Sequence, residues 1–287
     1  MNIVLRHALN LALISAILPF SAFSQPKEPD DAVITSDGLR LRGTFYQAQD
    51  VGLRPTLLLI HGWPGSPKDV LGLGGRLVER GFNVLVVSPR GMHESEGINT
   101  FAGTLRDIGA SLRWLRAPDI AEKMRIDTAK IILGGHSFGG GTTMAYAATD
   151  SSIRRLISIA GTDHGELIRE VGRNDSYASR LREMLRSTQA PRGPIRFDLE
   201  AGLRELMEGQ AVYGLRENAA RLADRSILLI GGWEDTDITI EQYMLPLYRS
   251  LKSARAEDVT FLVYHDGHGF GRVRDRLAAD IAEWIER

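Results

Sequence analysis

Polar and apolar residues alternate from residue 33 to residue 46 around an Asp37-Gly38 pair, and this pattern predicts a β-hairpin. From Pro55 onward the pattern changes to short apolar runs that are separated by stretches with helical spacing. Strands that are apolar on both faces and alternate with helices are typical of a buried parallel sheet. The chain is therefore predicted to begin with antiparallel strands and to continue as an α/β structure with a mostly parallel central sheet.

The other predicted elements repeat the order of strand, loop and helix. Strands are predicted to end at Ile60 and to cover residues 84–87, 130–133, 155–161, 226–232 and 259–264. Helices are predicted at residues 69–80, around the apolar positions from Leu105 to Leu115, and at residues 142–148, 238–251 and 273–285. Thr104 and Asp107 have the spacing of a capping pair, so we expect the second helix to begin there.

Between His164 and Asp224 the sheet pattern stops. These residues have helical character, which is interrupted at Pro191-Arg192-Gly193-Pro194. The pattern predicts a helical cap that is inserted at about residues 164–224 into a single domain covering residues 25–287.

Residues 1–24 have the pattern of a secretory signal peptide. Arg6 lies in the leading segment, an apolar stretch covers residues 8–18, and a small-x-small cleavage sequence ends at Ser24. The apolar stretch is shorter than the ~20 residues that a membrane-spanning helix needs. We therefore predict a secreted or periplasmic protein without stable membrane insertion after signal removal; an uncleaved anchor is the alternative.

Composition narrows the function classes. The chain has no cysteine, which excludes disulfides, a thiolate nucleophile and zinc bound by cysteine. Lys and Arg number 35 against 36 for Asp and Glu, so the net charge of −1 does not predict binding to nucleic acid or to an anionic membrane. The sequence does not indicate an oligomeric state.

The sequence Gly135-His136-Ser137-Phe138-Gly139 lies between a predicted strand and a predicted helix. Glycines on both sides allow a strained turn that holds the serine hydroxyl at the carboxyl edge of the sheet. The N–H of Phe138 and the N-terminus of the following helix would then point toward incoming negative charge. This arrangement predicts that Ser137 is a nucleophile; the alternative is a tight turn with an incidental serine.

Four motifs together resemble the α/β-hydrolase superfamily over essentially the whole of residues 25–287. They are HGWPG from His61, RGMHESEG from Arg90, GHSFG from Gly135, and the pair GGWED from Gly231 with DGHGF from Asp266. The resemblance is greatest to the prolyl-oligopeptidase-like and esterase branch. It implies the α/β-hydrolase fold, with helices on both faces of the sheet and a helical cap.

The resemblance assigns the base to His268, which follows the last strand in a loop flanked by glycines. His265 is the rival, but it directly follows the strand residue Tyr264. A metal cluster of His265, Asp266 and His268 is a further alternative, although the chain lacks an H-E-x-x-H sequence. We expect neither a metal nor a cofactor.

Asp235 is the implied acid that orients the histidine, because it lies four residues after Gly231 in the G-x-x-D arrangement of the family. Glu234 and Asp237 remain alternatives at the same loop. Asp163 is another, because some superfamily members carry the acid one strand earlier.

The backbone N–H of Trp63, after the strand ending at Ile60, is predicted to act with that of Phe138 as an oxyanion hole. In RGMHESEG we expect Arg90 and Ser95 to be structural links at the sheet edge. His93 and His164 are further residues that the cleft could include.

The resemblance implies an exported serine hydrolase that cleaves a small-molecule carboxylic ester or an amide or peptide through Ser137, His268 and Asp235, without a cofactor. Carboxylester hydrolysis is favoured over a serine aminopeptidase of the prolyl-oligopeptidase type, and C–C bond hydrolysis would use the same triad. Haloalkane dehalogenases and epoxide hydrolases share HGWP but use aspartate in place of Ser137. An α/β-hydrolase homologue without activity that binds a ligand or a partner is the alternative from another class.

Overall fold

The computed structural model describes residues 28–49 and 51–287. The predicted signal peptide, residues 1–24, lies outside the described residues, so that assignment stays a prediction. Within the described part of the chain, no helix combines the length and the apolar character needed to cross a bilayer.

In the described residues, eight strands form one sheet in the order β1-β2-β4-β3-β5-β6-β7-β8. The strands are β1 (Asp30–Ser36), β2 (Leu39–Tyr46), β3 (Arg54–Ile60), β4 (Asn83–Ser88), β5 (Ile126–His136), β6 (Arg155–Ile159), β7 (Ser226–Gly232) and β8 (Val259–Tyr264). The β1–β2 and β2–β4 pairs are antiparallel, and all other pairs are parallel. The predicted hairpin and the mostly parallel sheet are confirmed.

Helices cover both faces of this sheet, as predicted. They are α1 (Leu73–Val78), α2 (Phe101–Arg116), α3 (Pro118–Lys123), α4 (Phe138–Ala147), α5 (His164–Arg173), α6 (Asp175–Thr188), α7 (Leu199–Glu208), α8 (Gln210–Tyr213), α9 (Leu245–Ser253) and α10 (Arg274–Glu286). The helix α1 packs against α10, and α2 packs against α4. The central strands β3, β4, β6 and β7 and the second half of β5 are almost entirely buried because these helices cover apolar side chains on both faces.

The predicted capping pair of the second helix is wrong. Helix α2 begins at Phe101, and the hydroxyl of Thr100 accepts a hydrogen bond from the N–H of Gly103. Thr104 lies inside the first turns of the helix, and the Asp107 carboxylate is buried against the Arg90 guanidinium instead, at 2.7 Å. Asp107 is therefore used for a contact between distant segments and not for a cap.

The predicted helix at residues 238–251 is divided into two parts. A π-helical turn covers Ile240–Met244, and α9 begins at Leu245 with Pro246 in its first turn. Proline has no N–H to donate, which favours its position at the start of a helix.

The segment between β6 and β7 contains α5 to α8 and a 3₁₀ turn at Ala219–Leu222. Contacts from this cap hold it to the sheet domain. The Glu205 carboxylate of α7 accepts hydrogen bonds from the N–H groups of Phe101 and Ala102 at the start of α2, at 2.9 and 2.6 Å. Isolated β-bridges join Met92 to Ile195 and Asn99 to Phe197.

Candidate active site

Ser137 lies in the turn between β5 and α4, with φ 54° and ψ −118°. Its two flanking glycines are required by close backbone contacts. A Cβ on Gly139 would lie 2.0 Å from the carbonyl oxygen of Ile60, and one on Gly135 would lie 2.5 Å from the carbonyl carbon of Gly139. The Ser137 N–H also donates to Ile159 at 2.9 Å. The packing of β3 and β6 against the turn thus enforces a backbone conformation that an L-residue rarely adopts.

His268 lies in the loop after β8, and Asp235 lies in the loop after β7. The His268 Nδ1 donates to the Asp235 Oδ2 at 2.7 Å. The other oxygen, Oδ1, accepts from the N–H groups of Asp237 and Ile238 at 2.9 Å each. The side chain of Asp235 is fully buried, whereas 25% of the His268 side chain is exposed. A carboxylate held in this way keeps the proton on Nδ1 and leaves Nε2 free to accept another.

The other carboxylates named from the sequence have different partners. Glu234 forms an ion pair with Arg272. Asp163 caps α5 by accepting from Gly165 and Glu166, and it is 3.3 Å from Arg216.

Asp237 lies close to both Asp235 and His268. Among the described residues, ligand atoms of Asp235, Asp237 and His268 lie within 4.8 Å of one another, a spacing that a cation could bridge. Both oxygens of Asp235 already accept hydrogen bonds, which favours a role in orienting the imidazole. The rival base His265 is exposed and does not line the cavity described below.

Sequence reasoning missed the role of His136. Its Nε2 donates to the backbone carbonyl of His268 at 2.8 Å, and the two ring centroids are 4.6 Å apart. Burial, with a smaller contribution from His268, lowers the pKa of His136 to about 3. The neutral ring therefore supports the loop that carries His268. The sequence feature that points to this role is the position of His136 next to Ser137 in the GHSFG motif.

The loop after β3 lies directly against the serine turn. A Cβ on Gly62 would be 3.2 Å from the Ser137 Cβ, and the Trp63 and Phe138 rings are 5.5 Å apart. In the described residues, the backbone N–H groups of Trp63 and Phe138 do not donate to a backbone carbonyl of the surrounding turns and loops. The loop is held by His61, whose Nδ1 is 2.8 Å from the Gly62 carbonyl.

Arg90 and Ser95 are structural links, as predicted. Arg90 binds Asp107 and Asp37, and the Ser95 hydroxyl donates to the Ser88 carbonyl at 2.6 Å. His93 does not line the cavity; its Nε2 is 3.0 Å from the Pro64 carbonyl.

A cavity of about 440 Å³ opens at Ser137 and His268, and Trp63, Phe138 and His164 also line it. This volume lies within the range of about 300 to 1,000 Å³ that is typical of small-molecule sites. The cap supplies most of the remaining wall, from α5, α6 and α7.

Two histidines beside this site are almost completely buried. His61 is 1% exposed and His164 is 2% exposed. Burial lowers the pKa of His61 to about 4 and that of His164 to about 3. The Nδ1 of His164 has no hydrogen-bond partner in the described residues.

These histidines predict a loss of stability in mild acid. Their folded pKa values lie below the unfolded value of ~6.5, so protonation favours the unfolded state. The contribution of each neutral histidine to the free energy of unfolding is fully present above pH 6.5. As the pH falls from 6.5 toward 5, we expect each histidine to lower the free energy of unfolding by about 1.4 kcal/mol per pH unit. Urea unfolding of the wild type and of His164→Gln at several pH values between 7 and 5 measures how the free energy of unfolding depends on pH. The free energy of unfolding should fall less steeply with falling pH in the variant than in the wild type. Equal slopes in the two proteins would contradict the prediction.

Comparisons with known proteins agree with this architecture. A family model described as the alpha/beta hydrolase fold matches residues 55–197. The quorum-quenching protein AidA of Acinetobacter baumannii is 28% identical over 138 residues, which are 46% of this chain and 44% of AidA. The thiohydrolase aneE of Aspergillus aculeatus is 27% identical over 162 residues, which are 55% of this chain and 47% of aneE. The chain thus spans less than half the length of these curated relatives.

An esterase of Pyrobaculum calidifontis has a similar structure, with a TM-score of 0.67 and 19% identity. The match covers 90% of this chain and 85% of that esterase. At this identity the likeness concerns the fold, which agrees with the family match and with the sheet order found above. Residues 55–197 therefore match the α/β-hydrolase family, and the chain as a whole has the α/β-hydrolase fold.

Proposed function

We propose that this protein is a serine hydrolase that cleaves carboxylic esters, with Ser137 as nucleophile, His268 as general base and acid, and Asp235 as the orienting carboxylate. The observation that carries the proposal is the 2.7 Å hydrogen bond from His268 to Asp235 at a cavity that Ser137 and His268 both line. Export of the mature protein remains a prediction from the sequence.

In the first step His268 Nε2 accepts the proton of Ser137 while the serine oxygen bonds to the ester carbonyl carbon. The backbone N–H groups of Trp63 and Phe138 would stabilise the negative charge that develops on the carbonyl oxygen. Asp235 stabilises the imidazolium that forms.

When the tetrahedral intermediate collapses, His268 donates its proton to the departing alcohol, and the acyl group stays on Ser137. A water molecule then gives a proton to His268 and attacks the acyl-enzyme. The second collapse releases the acid and returns the proton to Ser137.

Esters are favoured over amides. The relatives described above include a thiohydrolase and an esterase. These names indicate bonds that release a thiol or an alcohol, and both are better leaving groups than an amine. The test compares turnover of p-nitrophenyl acetate and butyrate with that of aminoacyl p-nitroanilides by the folded protein. Faster ester turnover supports the proposal. Turnover of the anilides alone would favour a peptidase, and turnover of neither substrate would contradict the proposal.

A further inference from the structure

The interior of the cavity and its mouth differ in chemistry. The charged residues in its wall, Arg180, Asp198 and Asp237, are all exposed. By contrast, the wall that α7 supplies includes Leu199, Leu203 and Leu206, which are all buried. Charged groups therefore lie where the cavity meets solvent, and the buried wall that α7 supplies is apolar.

One position on the apolar wall lacks a side chain. Gly202 lies in the middle of α7, and Leu199, Gly202, Leu203 and Leu206 have the i, i+3, i+4, i+7 spacing of a single helix face. All four residues line the cavity. Leucine or alanine would favour the helix more than glycine, by roughly 1 kcal/mol.

No local contact explains this glycine. Among the described residues, a Cβ built on Gly202 meets no atom within 4 Å apart from its chain neighbours and its own helix backbone, and the φ of Gly202 is not positive. By comparison, a Cβ on Gly209 at the end of the same helix would lie 2.4 Å from the Tyr213 ring. The missing side chain at residue 202 therefore adds open space to the cavity.

We propose that Gly202 is a specificity-determining residue that makes room for an extended apolar acyl chain on the ester substrate. This inference rests on the proposed function. The acyl group is assigned to the cavity because it stays bonded to Ser137 through both steps, whereas the alcohol leaves before water attacks. The cavity under the cap is therefore assigned to the acyl group, which remains bonded to Ser137 until water attacks.

The experiment measures kcat/KM for p-nitrophenyl acetate, butyrate, octanoate and decanoate in the wild type, Gly202→Leu and Gly202→Ala. Wild type is expected to hydrolyse the octanoate at least as efficiently as the acetate. Leucine at residue 202 is expected to lower the octanoate-to-acetate ratio of kcat/KM by about 10- to 200-fold, the effect of a volume change in an apolar pocket. Gly202→Ala should lower the octanoate-to-acetate ratio of kcat/KM by a smaller factor. Because alanine adds only one carbon, this variant provides the test if Gly202→Leu does not fold.

Gly172→Leu is the matched control. Gly172 is also a helical glycine of the cap, and in the described part of the chain a Cβ built on it has no atom of another segment within 4 Å. Unlike Gly202, it is exposed and does not line the cavity. This variant should keep the wild-type ratio. An equal change in both leucine variants, or no change in Gly202→Leu, would overturn the inference.

Two further outcomes separate this inference from the proposed function. A wild type that hydrolyses the acetate but not the octanoate would overturn the acyl-chain inference alone. A wild type that hydrolyses no ester would overturn the proposed function as well. Octyl acetate carries the chain on the alcohol side, so if Gly202→Leu impaired this substrate but not p-nitrophenyl octanoate, the acyl assignment would be wrong.

Discussion

Replacing Ser137 with alanine is expected to lower kcat/KM for p-nitrophenyl acetate by at least about 10⁴-fold, because no other oxygen would form the acyl-enzyme. Alanine keeps the Cβ, so the strained backbone and the cavity should be unchanged. Steady-state kinetics at pH 7 measures the effect. Ser187→Ala, at an exposed serine of α6, is the matched control and should retain wild-type activity.

The fold of the variant can be tested independently. Ser137→Ala should unfold at the same urea concentration as the wild type. Ser137→Gly should be more stable by about 1 kcal/mol, since glycine adopts φ 54° with little strain. Retained activity in a folded Ser137→Ala protein would show that Ser137 is not the nucleophile.

Replacing Asp235 with asparagine is expected to lower kcat by about 10⁴-fold through the wrong histidine tautomer. The amide oxygen would accept from the N–H groups of Asp237 and Ile238, as the Oδ1 does now, and the amide NH₂ would face His268. The His268 Nδ1 would then have to accept, which places the proton on Nε2. In that tautomer the ring cannot take the Ser137 proton.

The neighbouring carboxylates provide matched controls for this experiment. Glu234→Gln and Asp237→Asn should each lower kcat by less than the ~10²-fold that is typical when an acid–base contact is lost. Neither residue has a hydrogen bond to the imidazole in the structure. A loss in Asp237→Asn as large as that in Asp235→Asn would assign the orienting role to both carboxylates.

Much of the site could be predicted because its parts depend on local sequence and on strand direction. Glycines at residues 135 and 139 indicate a turn with close backbone contacts, and the structure has these contacts with Ile60. Ser137, Asp235 and His268 each follow a parallel strand, and the carboxyl ends of parallel strands meet at one edge of a sheet.

The features that sequence reasoning did not predict depend on contacts between distant segments. Thr100 and Thr104 are both acceptable caps, and Thr104 is excluded only because α2 begins earlier and Asp107 binds Arg90. The support of His268 by His136 joins residues 132 positions apart.

The residues that line the cavity could not be predicted from the sequence either. The cap pattern indicates helices, but which helix face meets the cavity depends on how α5, α6 and α7 pack together. Gly202 is an ordinary helical glycine in the sequence, and it becomes informative only when the space beside it is known.

Labelling of the folded protein with a fluorophosphonate probe, with the adduct located by tandem mass spectrometry, tests whether Ser137 is an activated nucleophile. We expect a single adduct on Ser137 and no labelling of Ser137→Ala. An adduct on another residue, or no adduct on folded protein that still hydrolyses esters, would show that Ser137 is not the activated nucleophile.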